Sequence, residues 1–151
     1  MATTISGIDE LKTKVGEHLG YSDWLDVTQG RVNQFADATD DHQWIHVDPE
    51  RAKAGPFGGP IAHGYLTLSL AVPLLGQVVR VQGVRMGINY GLNKVRFPSP
   101  VPVPSRIRLG ATLNGVEDVE GGAQSVFGLT FEVEGKEKPA CVAEAIYRWY
   151  V

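Results

Sequence analysis

Scarcity sets the first bounds on this chain. It has one cysteine, Cys141, so no intramolecular disulfide framework holds it together, which fits a reducing compartment. It has no run of lysine or arginine, and its 14 basic against 17 acidic side chains give a formal net charge of −3. Neutralising a phosphate backbone needs a clustered basic surface, which argues against nucleic acid as the main partner. The stretch from Met1 to Val15 lacks the charged-then-apolar layout of a secretory signal, and a cytoplasmic location is expected. One apolar run, Ile61 to Val79, approaches the length of a membrane span. It carries His63, Gly64, Thr67, Ser69, Pro73 and Gly76, so it reads as a buried helix and no membrane partner is expected.

What is present is ordinary for one globular domain. The 151 residues are 43% hydrophobic and 21% charged, and a chain of this length buries about 68–70% of its unfolded surface. A single domain over residues 1–151 is expected. Ile8, Leu11 and Val15 lie at helical spacing, which predicts a short helix from Ile8 to Glu17. Tyr21 to Val27 reads as a strand, and Thr28 as the cap of a helix from Gln29 to about Ala38. Further on the period changes to two. Ile107, Leu109, Ala111 and Leu113 alternate with polar residues, as do Phe127, Leu129, Phe131 and Val133, then Cys141, Ala143, Ala145, Tyr147 and Trp149. Such patterns are half-buried antiparallel strands. Gly83 to Phe97 is a further extended candidate, with Gly87 and Gly91 marking bulges or close approach of another backbone. Gly121-Gly122 and Glu134-Gly135-Lys136 sit where hairpin turns belong. Pro98, Pro100, Pro102 and Pro104 exclude a central strand there. The sum is an α+β fold in which an antiparallel sheet faces a long buried helix.

The chemistry concentrates between Ala38 and Gly64. This span holds Asp40, Asp41 and three of the four histidines, His42, His46 and His63, with four glycines toward or at its end. Asp41 and His46 are five apart, about 140° out of register on a helix and on opposite faces of a strand, so only a turn brings them together. A carboxylate beside a neutral imidazole handles the protons of water near pH 7. Asp48-Pro49 reads as the cap and first position of a short helix. The loop around Phe57 is either a connector or a flap over the site. His42, His46, His63 and the acids also offer zinc-ligand types, but the turn before Pro49 removes the helical geometry that would converge His42 and His46. No metal is expected.

The run Thr39-Asp40-Asp41-His42-Gln43-Trp44-Ile45-His46, followed by Asp48, resembles the signature of the MaoC-like dehydratases and (R)-specific enoyl-CoA hydratases. Pro60-Ile61-Ala62-His63-Gly64 is similar to that family's second motif, and Asn93-Lys94-Val95-Arg96-Phe97-Pro98 to a third segment. The family usually has Gly where this chain has Asp40, and Asn-Pro where it has Gln43-Trp44, a version that looks like the nodulation-protein-N-like branch. The resemblance implies a hot-dog fold, a curved sheet wrapped around a central helix, that pairs as a homodimer with sites near the subunit interface. It implies reversible hydration of a trans-2-enoyl thioester in fatty acid metabolism. Asp41 and His46 would be the catalytic dyad and the Gly64 N–H the oxyanion donor, with His63, Trp44, Phe57, Tyr65 and Asn93 as further candidates near the substrate. No cofactor is implied, because the acyl-CoA or acyl carrier protein thioester is the substrate.

Alternatives stay open on these residues. A hot-dog thioesterase handles the same thioesters, and a non-catalytic acyl-thioester binding module would need neither Asp41 nor His46. His63, Trp44 and Tyr65 also fit packing roles, and Lys94 and Arg96 a solvated strand face.

Overall fold

The computed structural model describes residues 2–151. In chain order its elements are β1 (Thr3–Ile5), α1 (Ile8–Thr13), β2 (His18–Tyr21), β3 (Leu25–Val27), α2 (Gln29–Thr39), α3 (Trp44–Val47) and α4 (Pro49–Lys53). They continue with α5 (Gly64–Ser69), α6 (Ala71–Val78), β4 (Val79–Val81), β5 (Met86–Arg96), β6 (Ser105–Val119), β7 (Gly122–Val133) and β8 (Cys141–Tyr150).

The period-two residues build the sheet. Strands β2, β6, β7, β8 and β5 follow one another in that order, all antiparallel, and β3 pairs with the start of β6. Every alternating apolar residue named on β6 and β7 is buried, as are Cys141, Ala143, Ala145 and Tyr147 on β8. That face curves round α5 and α6: α5 packs on β8, α6 on β6, and Leu66, Leu70, Leu74, Leu75 and Val78 enter the same core as Leu109, Phe127 and Phe131. Alanines at 111, 143 and 145 leave room for the helix against the sheet. The result is α+β in the hot-dog arrangement.

The helix itself differs from the expected single run over Ile61–Val79. It divides at Leu70, whose N–H bonds to both the Leu66 and Thr67 carbonyls at 3.1 and 3.2 Å. Pro73 explains the break, since it has no N–H and its ring crowds the carbonyl four residues back, that of Ser69. Ile61 to His63 are extended rather than helical. They form a strap in which Ile61 N–H donates to the Ile45 carbonyl at 3.0 Å and Ala62 N–H to that of Val101 at 2.9 Å.

Two other elements differ. The strand expected over Tyr21–Val27 is divided, because the buried Ser22 hydroxyl accepts from Leu109 N–H at 2.9 Å and takes the place of a ladder carbonyl. The helix expected to reach Glu17 stops at Thr13. A short parallel pair, β1 with β4, has no counterpart in the sequence reading. On β5 the register slips at Tyr90 and at Asn93, while Gly87 admits the Trp149 ring, which would lie 2.9 Å from an added Cβ.

Candidate active site

Helix α2 delivers the chain to the site. Its cap is Thr28, whose hydroxyl accepts from Arg31 N–H at 3.1 Å, satisfying a donor the helix leaves free. Gln29 Nε2 donates to the His46 carbonyl at 2.8 Å and so ties the first turn of α2 to α3. At the other end Asp40 closes the helix with φ 60° and ψ 21°, the left-handed conformation that most side chains avoid. This reversal turns Asp41 back beneath the helix end. On the outside, His42 Nε2 meets Asp37 Oδ1 at 2.9 Å, which holds the His42 pKa above its ordinary value.

His46 sits on α3 with 7% exposure. Its Nδ1–H donates to the Ile61 carbonyl at 2.7 Å, which fixes the tautomer and leaves Nε2 as the lone-pair nitrogen. Burial holds its pKa below the ordinary value. The Ile61 carbonyl opposes that effect, the nearby His63 adds to it and Asp41 opposes it. The ring is therefore neutral near pH 7 and able to accept a proton. Beyond α3, Asp48 caps α4 by accepting from Arg51 N–H at 3.1 Å, as its place before Pro49 predicts.

The strap brings His63 and Gly64 to the same place. His63 is 3% exposed, its Nε2–H donates to the Asp41 carbonyl at 3.0 Å, and its ring stacks on that of His46 at 3.9 Å and 24°. Its carbonyl accepts from Leu66 and Thr67, one turn into α5. The N–H groups of Gly64 and Tyr65 precede any helical acceptor and are free for an outside one. A pocket of about 270 Å³ is lined by Asp41, His46, His63, Gly64, Tyr65 and Phe97. Within it a carboxylate oxygen of Asp41 and ring nitrogens of His46 and His63 lie within 4.8 Å of one another. A separation of that size is one that a single water can bridge by hydrogen bonds.

Of the candidates read from the sequence, Asp41, His46, His63, Gly64 and Tyr65 therefore converge. Phe57 lies in an adjoining apolar cleft of about 340 Å³ that shares Gly64 and Phe97 with the pocket. Trp44 and Asn93 line neither: the Trp44 ring packs between Arg51, 4.5 Å from its centroid, and Gly55, and Asn93 is the bulged residue on exposed β5. Phe97 is the residue the sequence reading passed over. It lies next to last in the third similar segment, and its ring occupies the space beside Gly64, where an added Cβ would meet it at 3.1 Å. The missing side chain at Gly64 thus seats Phe97 as well as exposing the backbone.

Asp41, His46 and His63 present the donor types of a metal site. His63, however, could ligate only by releasing the Asp41 carbonyl from Nε2 or through Nδ1, which is sealed from solvent and has no partner. Cys141 is fully buried in the sheet and its thiol is pushed up to about 11 by burial, so it is no nucleophile.

Residues 10–133 match the MaoC like domain, and the chain belongs to that family. Within it, the chain is 58% identical over 147 residues to 3-hydroxyacyl-thioester dehydratase Z of Mycobacterium tuberculosis, covering 97% of each. It is 43% identical over 141 residues to Nodulation protein N of Rhizobium leguminosarum bv. viciae, covering 91% of this chain and 87% of that one. Among solved structures it is similar to the (R)-hydratase from A. caviae involved in PHA biosynthesis, with TM-score 0.70 and 26% identity over 87% of this chain and 95% of the other.

Proposed function

We propose that this protein is an (R)-specific hydro-lyase that interconverts a trans-2-enoyl thioester and the (R)-3-hydroxyacyl thioester. The observation that carries the reading is the meeting of the Asp41 carboxylate and the His46 ring within 4.8 Å, in a pocket that also holds the Gly64 backbone. The dyad holds one water. As the water oxygen attacks C3, the dyad removes its proton, and the thioester oxygen takes up the developing enolate charge. That charge is met by the Gly64 N–H, which has no helical acceptor of its own and needs no reorganisation to donate. The dyad then returns a proton to C2, so one molecule of water has been added across the double bond. Dehydration is the same path reversed.

The thioester arm, CoA or carrier protein, is substrate in this reading, and no cofactor or metal takes part. A homodimer completes it. Strand β5 leaves one side of its ladder unpaired and exposes Met86, Ile88, Tyr90 and Leu92, an apolar edge that natural sheets cover. Among the described residues no helix is long and apolar enough to cross a membrane. A cytoplasmic location and one domain over residues 1–151 belong to the same proposal.

The test is the ultraviolet absorbance of a conjugated trans-2-enoyl-CoA with purified protein, followed by chiral analysis of the product and a free-thiol assay. Loss of conjugation to the (R)-3-hydroxyacyl-CoA without free thiol is expected, and Asp41→Asn and His46→Gln abolish it. Thiol release would make the protein a thioesterase instead, and an unchanged spectrum at every chain length and on carrier-protein thioesters would overturn the reading.

A further inference from the structure

We propose that His63 is the positioning residue of this site, a clamp that holds Asp41 and His46 in one geometry through its Nε2–H and its ring. The inference rests on the hydro-lyase reading above and adds to it a residue that acts through Asp41 and His46.

Three observations converge on His63. The Asp41 turn has few other anchors: its carboxylate accepts only a long 3.4 Å bond from Gln43 N–H, and the preceding Asp40 is in the left-handed conformation without being glycine. The His63 Nε2–H bond to the Asp41 carbonyl, 22 residues away, is the internal bond that ties this turn to the strap. The His63 ring then covers that of His46 at 3.9 Å, while Phe35 packs against His63 at 4.9 Å. Finally, Nδ1 of His63 is buried with no hydrogen-bond partner. A buried polar atom left unmatched is costly, so an apolar residue would suit packing better. What an apolar residue lacks is the Nε2–H.

Two substitutions separate the parts. His63→Phe keeps a ring over His46 and removes the donor; His63→Gln keeps an amide donor near the Nε2 position and removes the ring. The expected result is a loss of about 100-fold in kcat for His63→Phe with KM little changed, the size of effect that a misplaced catalytic group produces. His63→Gln recovers most of that loss. The titratable groups facing His46 are Asp41 and His63; with the ring gone, the acid limb of the pH profile for His63→Gln moves to higher pH.

A second readout does not depend on turnover. In isotope-labelled protein, the Asp41 carbonyl resonance keeps its hydrogen-bonded position in His63→Gln and loses it in His63→Phe. Retained kcat in His63→Phe, or an equal loss in both variants with both folded, would overturn the clamp. If wild-type protein hydrates no enoyl thioester, the hydro-lyase reading fails while the carbonyl resonance still decides the clamp.

Discussion

The interior between helix and sheet and the polar stretch from Ala38 to Gly64 are held by different means. In the interior, strands β6 to β8 and helices α5 and α6 share many apolar partners, and Leu74, Leu109, Leu113, Phe127 and Phe131 are each fully buried. Loss of one contact there leaves its neighbours in place. In the polar stretch each functional group hangs on single bonds: His46 on the Ile61 carbonyl, the Asp41 carbonyl on His63, the first turn of α2 on His46. The lesson is a division of labour. The expectation is that stability belongs to the redundant region and rate to the region of single bonds, so that the two separate experimentally.

The strongest way to break that division is at the dyad. His46→Gln and Asp41→Asn are expected to lower kcat by about 10²–10⁴-fold, the contribution of a positioned acid or base, with thermal unfolding nearly unchanged. A large fall in Tm would show that the polar stretch carries the fold as well. The same histidine sets the pH dependence. Its folded-state pKa lies below the unfolded value of about 6.5, so activity holds down to below that pH and the acid limb of kcat/KM falls there. The sign for stability agrees, because the unfolded state binds this proton more readily, and stability declines as pH falls from about 6.5 toward the folded value.

The converse test lies in the interior. Leu74→Ala should cost about 2–5 kcal/mol of stability, read by denaturant unfolding, while kcat per folded molecule stays close to wild type. A proportionate loss of kcat would tie the core directly to the chemistry.

The exposed edge sharpens the comparison. Leu92 is 45% exposed on β5, and Leu92→Lys is expected to shift sedimentation from dimer toward monomer with the folded monomer intact. A wild-type protein that sediments as a monomer would remove the dimer proposal. The smallest effect is expected at Thr28→Ala, which removes one cap and should cost about 1 kcal/mol, seen as a slight fall in Tm. Because α2 leads to the Asp41 turn, kcat should fall no more than the folded fraction does.

Much of this was legible in the residues. Alternation on β6, β7 and β8 predicted which side chains would be inside, because a strand side chain has only two faces to choose from. Thr28 and Asp48-Pro49 predicted two helix starts, since the free N–H groups of a first turn need a local acceptor. The five-residue spacing of Asp41 and His46 demanded a turn, and the structure supplies one over residues 41–43, where Gln43 N–H faces Asp41 Oδ1 just before α3 begins at Trp44. The division of the central helix was harder to read, because Pro73 is tolerated near the start of a helix and only the packing shows which side of it a helix begins. The β1 and β4 pair is three residues long on each side, too short for any period.

The site separates the two kinds of information most clearly. Sequence alone determined which groups are available: one carboxylate and one imidazole five apart, a glycine after a histidine, and an apolar helix to bury. Tertiary structure alone decided what they do together. The distance between the Ile61 strap and α3 selects the His46 tautomer, the burial of His63 sets its Nε2–H on the Asp41 carbonyl and its ring on that of His46, and the end of β5 carries Phe97 into the pocket from more than thirty residues away. Spacing constrains neighbours along the chain. Contacts between distant segments are set by which surfaces the core brings face to face.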